Sequence, residues 1–304
     1  MTISSMAGCE NSSTIIPTDP VISTTNTIKP DDTPILKTHV YESVTNDELR
    51  DKVESRYGIE VYWNAEITDY PGTPPEPLQN EVLIRKFLIL LDEQLALYPD
   101  GFFAHFRKFN YVFRFLPTLY VQHYVIGEEA GGYTQYSDDG YIYIVMNASY
   151  WTDIWPSTTT YSGCPYIQYA LHHEIGHTLE WYIINRAKGF PFNTYVWRDL
   201  LPKGFEYYNN LELEERMEIP LLEFGAPYMD ENQKGVWFCD YYAQSDISEH
   251  LASIFGYAMY PSQPDEWHSK NVQEQIKYYF PIIRQVFGTE SWSETTHWEQ
   301  AAQD

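Results

Sequence analysis

Residues 168–181, QYALHHEIGHTLEW, set the strongest constraint on this chain. His173 and His177 stand four residues apart, so on a helix both imidazoles leave one face about a turn apart, close enough to hold one metal ion. Ile167, Ala170, Leu171, Ile175 and Leu179 give the same segment an apolar face. Any fold built around it must therefore bury a helix while polar side chains converge on it. His172 is not part of the pair: its i+4 neighbour is Gly176, and it points to another side of the helix.

Glu174 sits beside the first histidine and can reach a metal-bound water as general base, the H-E-x-x-H arrangement of zinc metallopeptidases. With nine histidines and 26 glutamates in 304 residues, about 0.02 such matches arise by chance, so composition does not account for the motif. The competing reading is a pair of hydrogen-bonded helix histidines without metal, or the relic of a dead site. A catalytic zinc usually takes three protein ligands and leaves a fourth place for water. A metzincin would need glycine and histidine where Glu180 and Ile183 stand; a nearby aspartate ligand is replaced by Lys188; and no glutamate lies near Tyr195 to Trp197.

The segment YYAQSDISEHLASIFGYAMY, residues 241–260, offers the third ligand. From Asp246 it reads as a helix with Ile247, Leu251, Ile254, Phe255 and Ala258 on one face and Glu249 one turn in. A second helix presenting a carboxylate to the histidine helix is the gluzincin arrangement. Asp246 and Glu249 also match a capping box, in which the glutamate only binds a backbone N–H. His250, Glu206, Glu212, Glu214 and Glu215 are further candidates.

Around these motifs the pattern predicts an α+β chain. Residues 1–38, rich in Ser, Thr and Pro, read as a flexible tether. Residues 39–304 read as one domain, with a sheet lobe over about 39–165 and a mainly helical lobe over about 166–304. TNDELRDKVESRYG from Thr45 has the cap, acidic first turn and closing glycine of a short helix. Residues 78–98, LQNEVLIRKFLILLDEQLALY, carry apolar positions at helical spacing up to Pro99. Strand-like runs are IEVYW after Gly58, then residues 110–116, 119–127 and 140–147.

HHEIGHTLEW followed by GVWFCDYYAQSDISEHLASIFGYAM resembles the zinc-binding metallopeptidases found among bacterial lipoproteins, and is similar to the catalytic domain of anthrax lethal factor and related gluzincins. ESRYGIEVYW and EEAGGYTQYSDDGYIYIVMN look broadly like the lipoprotein family, so the likeness spans most of residues 45–290. It implies a zincin-like fold, with the active-site helix between the lobes. It also implies zinc on His173, His177 and Glu249, Glu174 as general base, and Tyr242, seven residues before Glu249, as donor to the oxyanion. Those families carry a further acid four residues after the third ligand; here that residue is Ser253, so a partner for a ligand histidine is missing. The implied activity is metalloendopeptidase-like hydrolysis of a peptide or protein, with the extended substrate pairing along the edge of the 140–147 strand. The alternative is a catalytically silent surface lipoprotein that holds a peptide or glycan on the same scaffold.

Net charge of −24, from 43 acidic against 19 basic residues, argues against nucleic-acid binding, since phosphate backbones repel such a surface. The opening MTISSMAGCENSS resembles the cleavage box of a bacterial lipoprotein, which would make Cys9 the lipid-bearing membrane tether and the location extracytoplasmic. An ordinary flexible terminus is the other reading. Cys164 and Cys239 each precede one of the two metal-bearing helices, so a disulfide between them would staple those helices in an oxidising compartment; two free buried thiols are the alternative. Oligomeric state is not readable from the sequence.

Overall fold

The computed structural model describes residues 4–7, 41, 43–63, 76–118, 121, 130–137, 140–148, 165–185, 187, 189, 191–261, 263–287, 292 and 295–303. In chain order its first half comprises β1 (Ser4–Ala7), α1 (Asn46–Tyr57), β2 (Glu60–Val61), α2 (Glu81–Leu95), α3 (Phe102–Arg107), β3 (Val112–Thr118), β4 (Ala130–Tyr136) and β5 (Tyr141–Asn147). The second half is mainly helical: α4 (Pro165–Asn185), α5 (Thr194–Asp199), α6 (Leu213–Glu218), α7 (Leu221–Gly225), α8 (Ile247–Met259), α9 (Lys270–Phe287) and α10 (His297–Ala301), with a short hairpin of β6 (Met229–Asp230) and β7 (Gly235–Val236). The α+β class is as expected. Among the described residues no helix is long and apolar enough to cross a membrane.

Local sequence sets the helix ends. Thr45 and Glu48 form a reciprocal capping box on α1, and Gly58 closes it in the left-handed region at φ 70°. Asn80 caps α2 by accepting from the backbone N–H groups of Val82 and Leu83. The apolar stripe of α2, including Leu83, Phe87, Leu91 and Leu95, is buried in one core with Phe113 and Phe115 of β3, Ile142 and Ile144 of β5, and Leu171, Ile175 and Leu179 of α4.

The sheet is mixed, in the order β1-β4-β5-β3-β2. β5 pairs parallel with β3 and antiparallel with β4, while β1 pairs antiparallel with the outer side of β4. Two sequence expectations need correction. The 140–147 strand has neighbours on both sides, so it offers no edge to a substrate. β4 was not foreseen as a strand, because its Gly131–Gly132 pair weakens the strand signal. Gly132 is there for a steric reason: a Cβ on it would stand 2.7 Å from the Val145 carbonyl oxygen and 3.2 Å from Glu174 Cγ. The expected 119–127 strand lies outside the described residues apart from Val121. Within the segment read as a tether, only Ser4–Ala7 is described. Cys9 and Cys164 also fall outside, and Cys239 is a buried free thiol.

The central helix α4 is buried along most of its length, against β4 and β5 on one side and α8 on the other. Two neutral histidines bolt α4 and α8 to their surroundings. His172 Nε2 donates to Gln94 Oε1 (3.0 Å) and its Nδ1 accepts from the Tyr98 hydroxyl (2.9 Å). His250 repeats the arrangement with Gln275 Oε1 (3.0 Å) and Tyr207 (3.0 Å). The Gln275 amide nitrogen is directed to the carbonyls of Leu200 and Trp237, which leaves its oxygen for the imidazole and fixes the tautomer.

Burial pushes both imidazoles down to about 3. The folded value lies below that of the unfolded chain, so these bolts contribute fully above about pH 6.5 and are lost as pH falls towards 3. Each histidine then adds a slope of up to about 1.4 kcal/mol per pH unit below 6.5. Urea-unfolding free energies between pH 7 and 5 are expected to fall less steeply for His250→Gln than for the unaltered chain; equal slopes would show that His250 titrates alike in both states.

Candidate metal centre

Helix α4 carries His173 and His177 on one face, and their Nε2 atoms stand 3.0 Å apart. Helix α8 supplies the third donor by crossing α4 closely. At the crossing a Cβ on Gly176 would lie 3.0 Å from Ala252 Cα, and one on Gly256 would lie 2.8 Å from Tyr169 Cε2 and 3.3 Å from His173 Cβ. Only hydrogen at both positions lets the helices approach this far.

The approach brings Glu249 Oε2 to 3.0 Å from His173 Nε2 and 3.3 Å from His177 Nε2. Donors at about 2.0–2.1 Å from one ion, at tetrahedral corners, stand about 3.3 Å apart, so the triangle fits a single metal ion. His173, Glu249 and His177 are all buried, and they form the group among the described residues able to hold a metal ion.

The electrostatics lead to the same conclusion. Burial would lower His177, but the charge and hydrogen bond of Glu249 hold it up to about 9, with help from Glu174 and Glu180. Burial would raise Glu249, but His177 and the hydrogen bonds from both histidines hold its carboxyl well below the usual range. The charge of Glu249 thus favours a proton on His177, and a metal ion held by the three donors would take that proton's place.

The rival ligands are placed elsewhere. His172 and His250 are committed to their glutamine and tyrosine partners. Glu206, Glu212, Glu214 and Glu215 are exposed. The capping question also resolves: Asp246 Oδ1 accepts from the Glu249 backbone N–H at 2.9 Å, while the Glu249 carboxylate turns to the histidines.

Glu174 is fully buried next to the triangle's first histidine. The Thr134 hydroxyl of β4 lies 2.8 Å from both its backbone carbonyl oxygen and its Oε2. Oε1 has no hydrogen-bond partner among the described residues. Burial raises this carboxyl to about 8, against the lowering effect of His177 and Thr134. Tyr242, on the 3-10 turn Tyr242–Gln244, donates its hydroxyl to Glu249 Oε1 at 3.2 Å, and its ring centroid lies 6.2 Å from that of His173.

Comparison with protein-family models and with curated proteins finds no match.

Several supporting residues were not anticipated. His177 Nδ1 meets the Ser248 hydroxyl at 3.0 Å, and that hydroxyl donates to Glu180 Oε2 at 3.0 Å. Burial holds Glu180 up to about 7. Glu180 lies three residues after His177, a spacing visible in the sequence; Ser248 and Thr134 arrive from other elements and leave no local signal.

A metal must displace the His177 proton, so apparent affinity is expected to rise with pH through neutrality. Competition with a chromophoric chelator at pH 6, 7 and 8 measures this, and a flat profile would contradict the trapped proton. Glu249→Ala is expected to lose the bound equivalent of metal, as read by elemental mass spectrometry after buffer exchange.

Proposed function

We propose that this chain is a zinc-dependent peptidase of zincin-like build, with His173, His177 and Glu249 as ligands and Glu174 as general base. The observation that carries this reading is the buried Oε1 of Glu174, without a hydrogen-bond partner among the described residues, on the helix that presents both imidazoles. A structural glutamate would have both oxygens satisfied or in solvent; a base keeps one free for the proton it takes. A donor set of two imidazoles and one carboxylate matches catalytic zinc better than magnesium or calcium, which favour oxygen ligands.

When bound, zinc supplies Lewis-acid chemistry, activating a water and polarising a carbonyl. The remaining steps belong to the chain. Glu174 takes the proton of the attacking water and passes it to the leaving amine. Its affinity for protons, set by burial near neutrality, suits both transfers. Thr134 fixes the other carboxylate oxygen, so that Oε1 keeps its direction. Tyr242 remains a neutral phenol, because burial and then the Glu249 charge push its hydroxyl well above its ordinary value. As a neutral donor beside the ligand carboxylate it can stabilise the oxygen that becomes negative.

The test is cleavage of a mixed peptide library by the zinc-loaded protein. Glu174→Gln is expected to abolish turnover and keep one zinc per chain. Tyr242→Phe is expected to lower kcat by about 100–1,000-fold with little change in KM. Undiminished cleavage by Glu174→Gln would overturn the assignment of the base. A chain that binds peptides and zinc, turns over nothing, and binds equally well as Glu174→Gln would be the silent scaffold instead.

A further inference from the structure

His173 keeps Nε2 for the metal position, so its Nδ1 carries the ring proton. That nitrogen faces the Tyr169 hydroxyl at 3.4 Å, one turn earlier on α4. Tyr169 has a single proton to give, and Asp240 Oδ2 at 3.0 Å and Ser253 Oγ at 3.2 Å lie in its reach, with the Tyr257 hydroxyl bonded to the same group. The carboxylate is the stronger acceptor, so the phenol donates to Asp240 and leaves its lone pairs to His173 Nδ1–H and the serine hydroxyl. Asp240 is itself fixed, because its Oδ1 accepts from the Ala243 backbone N–H at 2.7 Å. Tyr169 is buried and clamped between the Gly256 backbone and the Tyr257 ring, 4.3 Å away.

We propose that Asp240, acting through the Tyr169 hydroxyl, is the positioning residue of His173. It supplies the carboxylate that Ser253 lacks, from a different stretch of chain and one hydroxyl further from the ring. The construction repeats at the second imidazole, where Ser248 links His177 to Glu180. Both rings are thus oriented by a hydroxyl backed by an acid. Such outer partners fix the tautomer and ring direction of a metal-binding histidine and strengthen it as a ligand. This inference rests on reading His173, His177 and Glu249 as a metal site.

The experiment measures zinc affinity of the full chain by competition with a chromophoric chelator, alongside urea unfolding of the same samples. Tyr169→Phe and Asp240→Asn are each expected to weaken zinc binding about 10–100-fold. The double variant is expected to be no weaker than the singles, because both cut one relay. Asp240→Asn keeps an oxygen for the Ala243 N–H, and Tyr169→Phe keeps the ring, so both are expected to unfold cooperatively. Ser253→Asp provides the readout that a merely structural role would not move. Ser253 Oγ already lies beside the Tyr169 hydroxyl, so a carboxylate there is expected to restore affinity to Asp240→Asn and to add nothing to Tyr169→Phe. Folded variants that hold zinc as tightly as the unaltered chain would overturn the relay and leave the metal site standing. An unaltered chain that takes up no zinc would overturn both.

Discussion

The close crossing of α4 and α8 is the constraint on which the rest depends. Gly176 against Ala252 and Gly256 against Tyr169 leave no space for a methyl group, so the helices meet almost backbone to backbone. Only at that separation can Glu249 reach both imidazole nitrogens at hydrogen-bond distance. The same approach places Ser248 on His177 and Ser253 against Tyr169. Thr134 is brought in from the opposite side by a third glycine contact, Gly132 on Glu174.

A helix that gathers ionisable groups in its core is unstable unless something fixes it from outside the site. Here that is done by residues adjacent to the ligands. His172 neighbours His173 and ties α4 to Gln94 of α2 and to Tyr98; His250 neighbours Glu249 and ties α8 to Gln275 of α9 and to Tyr207. Burial keeps both neutral, and each ring nitrogen has a single partner of the matching kind. The same residue type thus serves two purposes at consecutive positions, distinguished by what the other elements present to it. The nitrogens of His172 are occupied by an amide and a phenol, whereas Nε2 of His173 is aimed at another imidazole and a carboxylate.

Much of this was legible in the sequence. The H-E-x-x-H spacing fixes which side chains share a helix face, and Asp246 with Glu249 marks the start of α8. The ends of α1 follow from Thr45 and Gly58, whereas α2, expected over 78–98 from its apolar spacing, starts later, after the Asn80 cap. What was not legible depends on pairing between distant segments. The order of the sheet places both β4 and β5 in its interior, although only β5 has a strong strand pattern. Periodicity reports which residues are apolar on a strand and is silent about its neighbours. Asp240 shows the same limit. No spacing relates it to His173, and only the folded chain brings it to Tyr169.

The hydroxyl spacers have an electrostatic rationale. The centre already holds two buried carboxyl groups, Glu249 and Glu174, and each raises the proton affinity of its neighbours. An acid placed directly on each imidazole would bring further negative charge near Glu174. At an effective dielectric of about 20, moving a unit charge from about 5 to about 7.5 Å weakens its interaction by about 1 kcal/mol, close to one unit in a carboxyl's proton affinity. The Glu174 carboxyl, already raised to about 8 by burial, would be driven further from neutrality by two such neighbours. Tyr169 and Ser248 keep the direction and the proton of each ring nitrogen fixed while holding Asp240 and Glu180 one intervening hydroxyl further away. Orientation is short-ranged and passes through the hydroxyl with little loss, whereas charge is long-ranged and is reduced by the added distance.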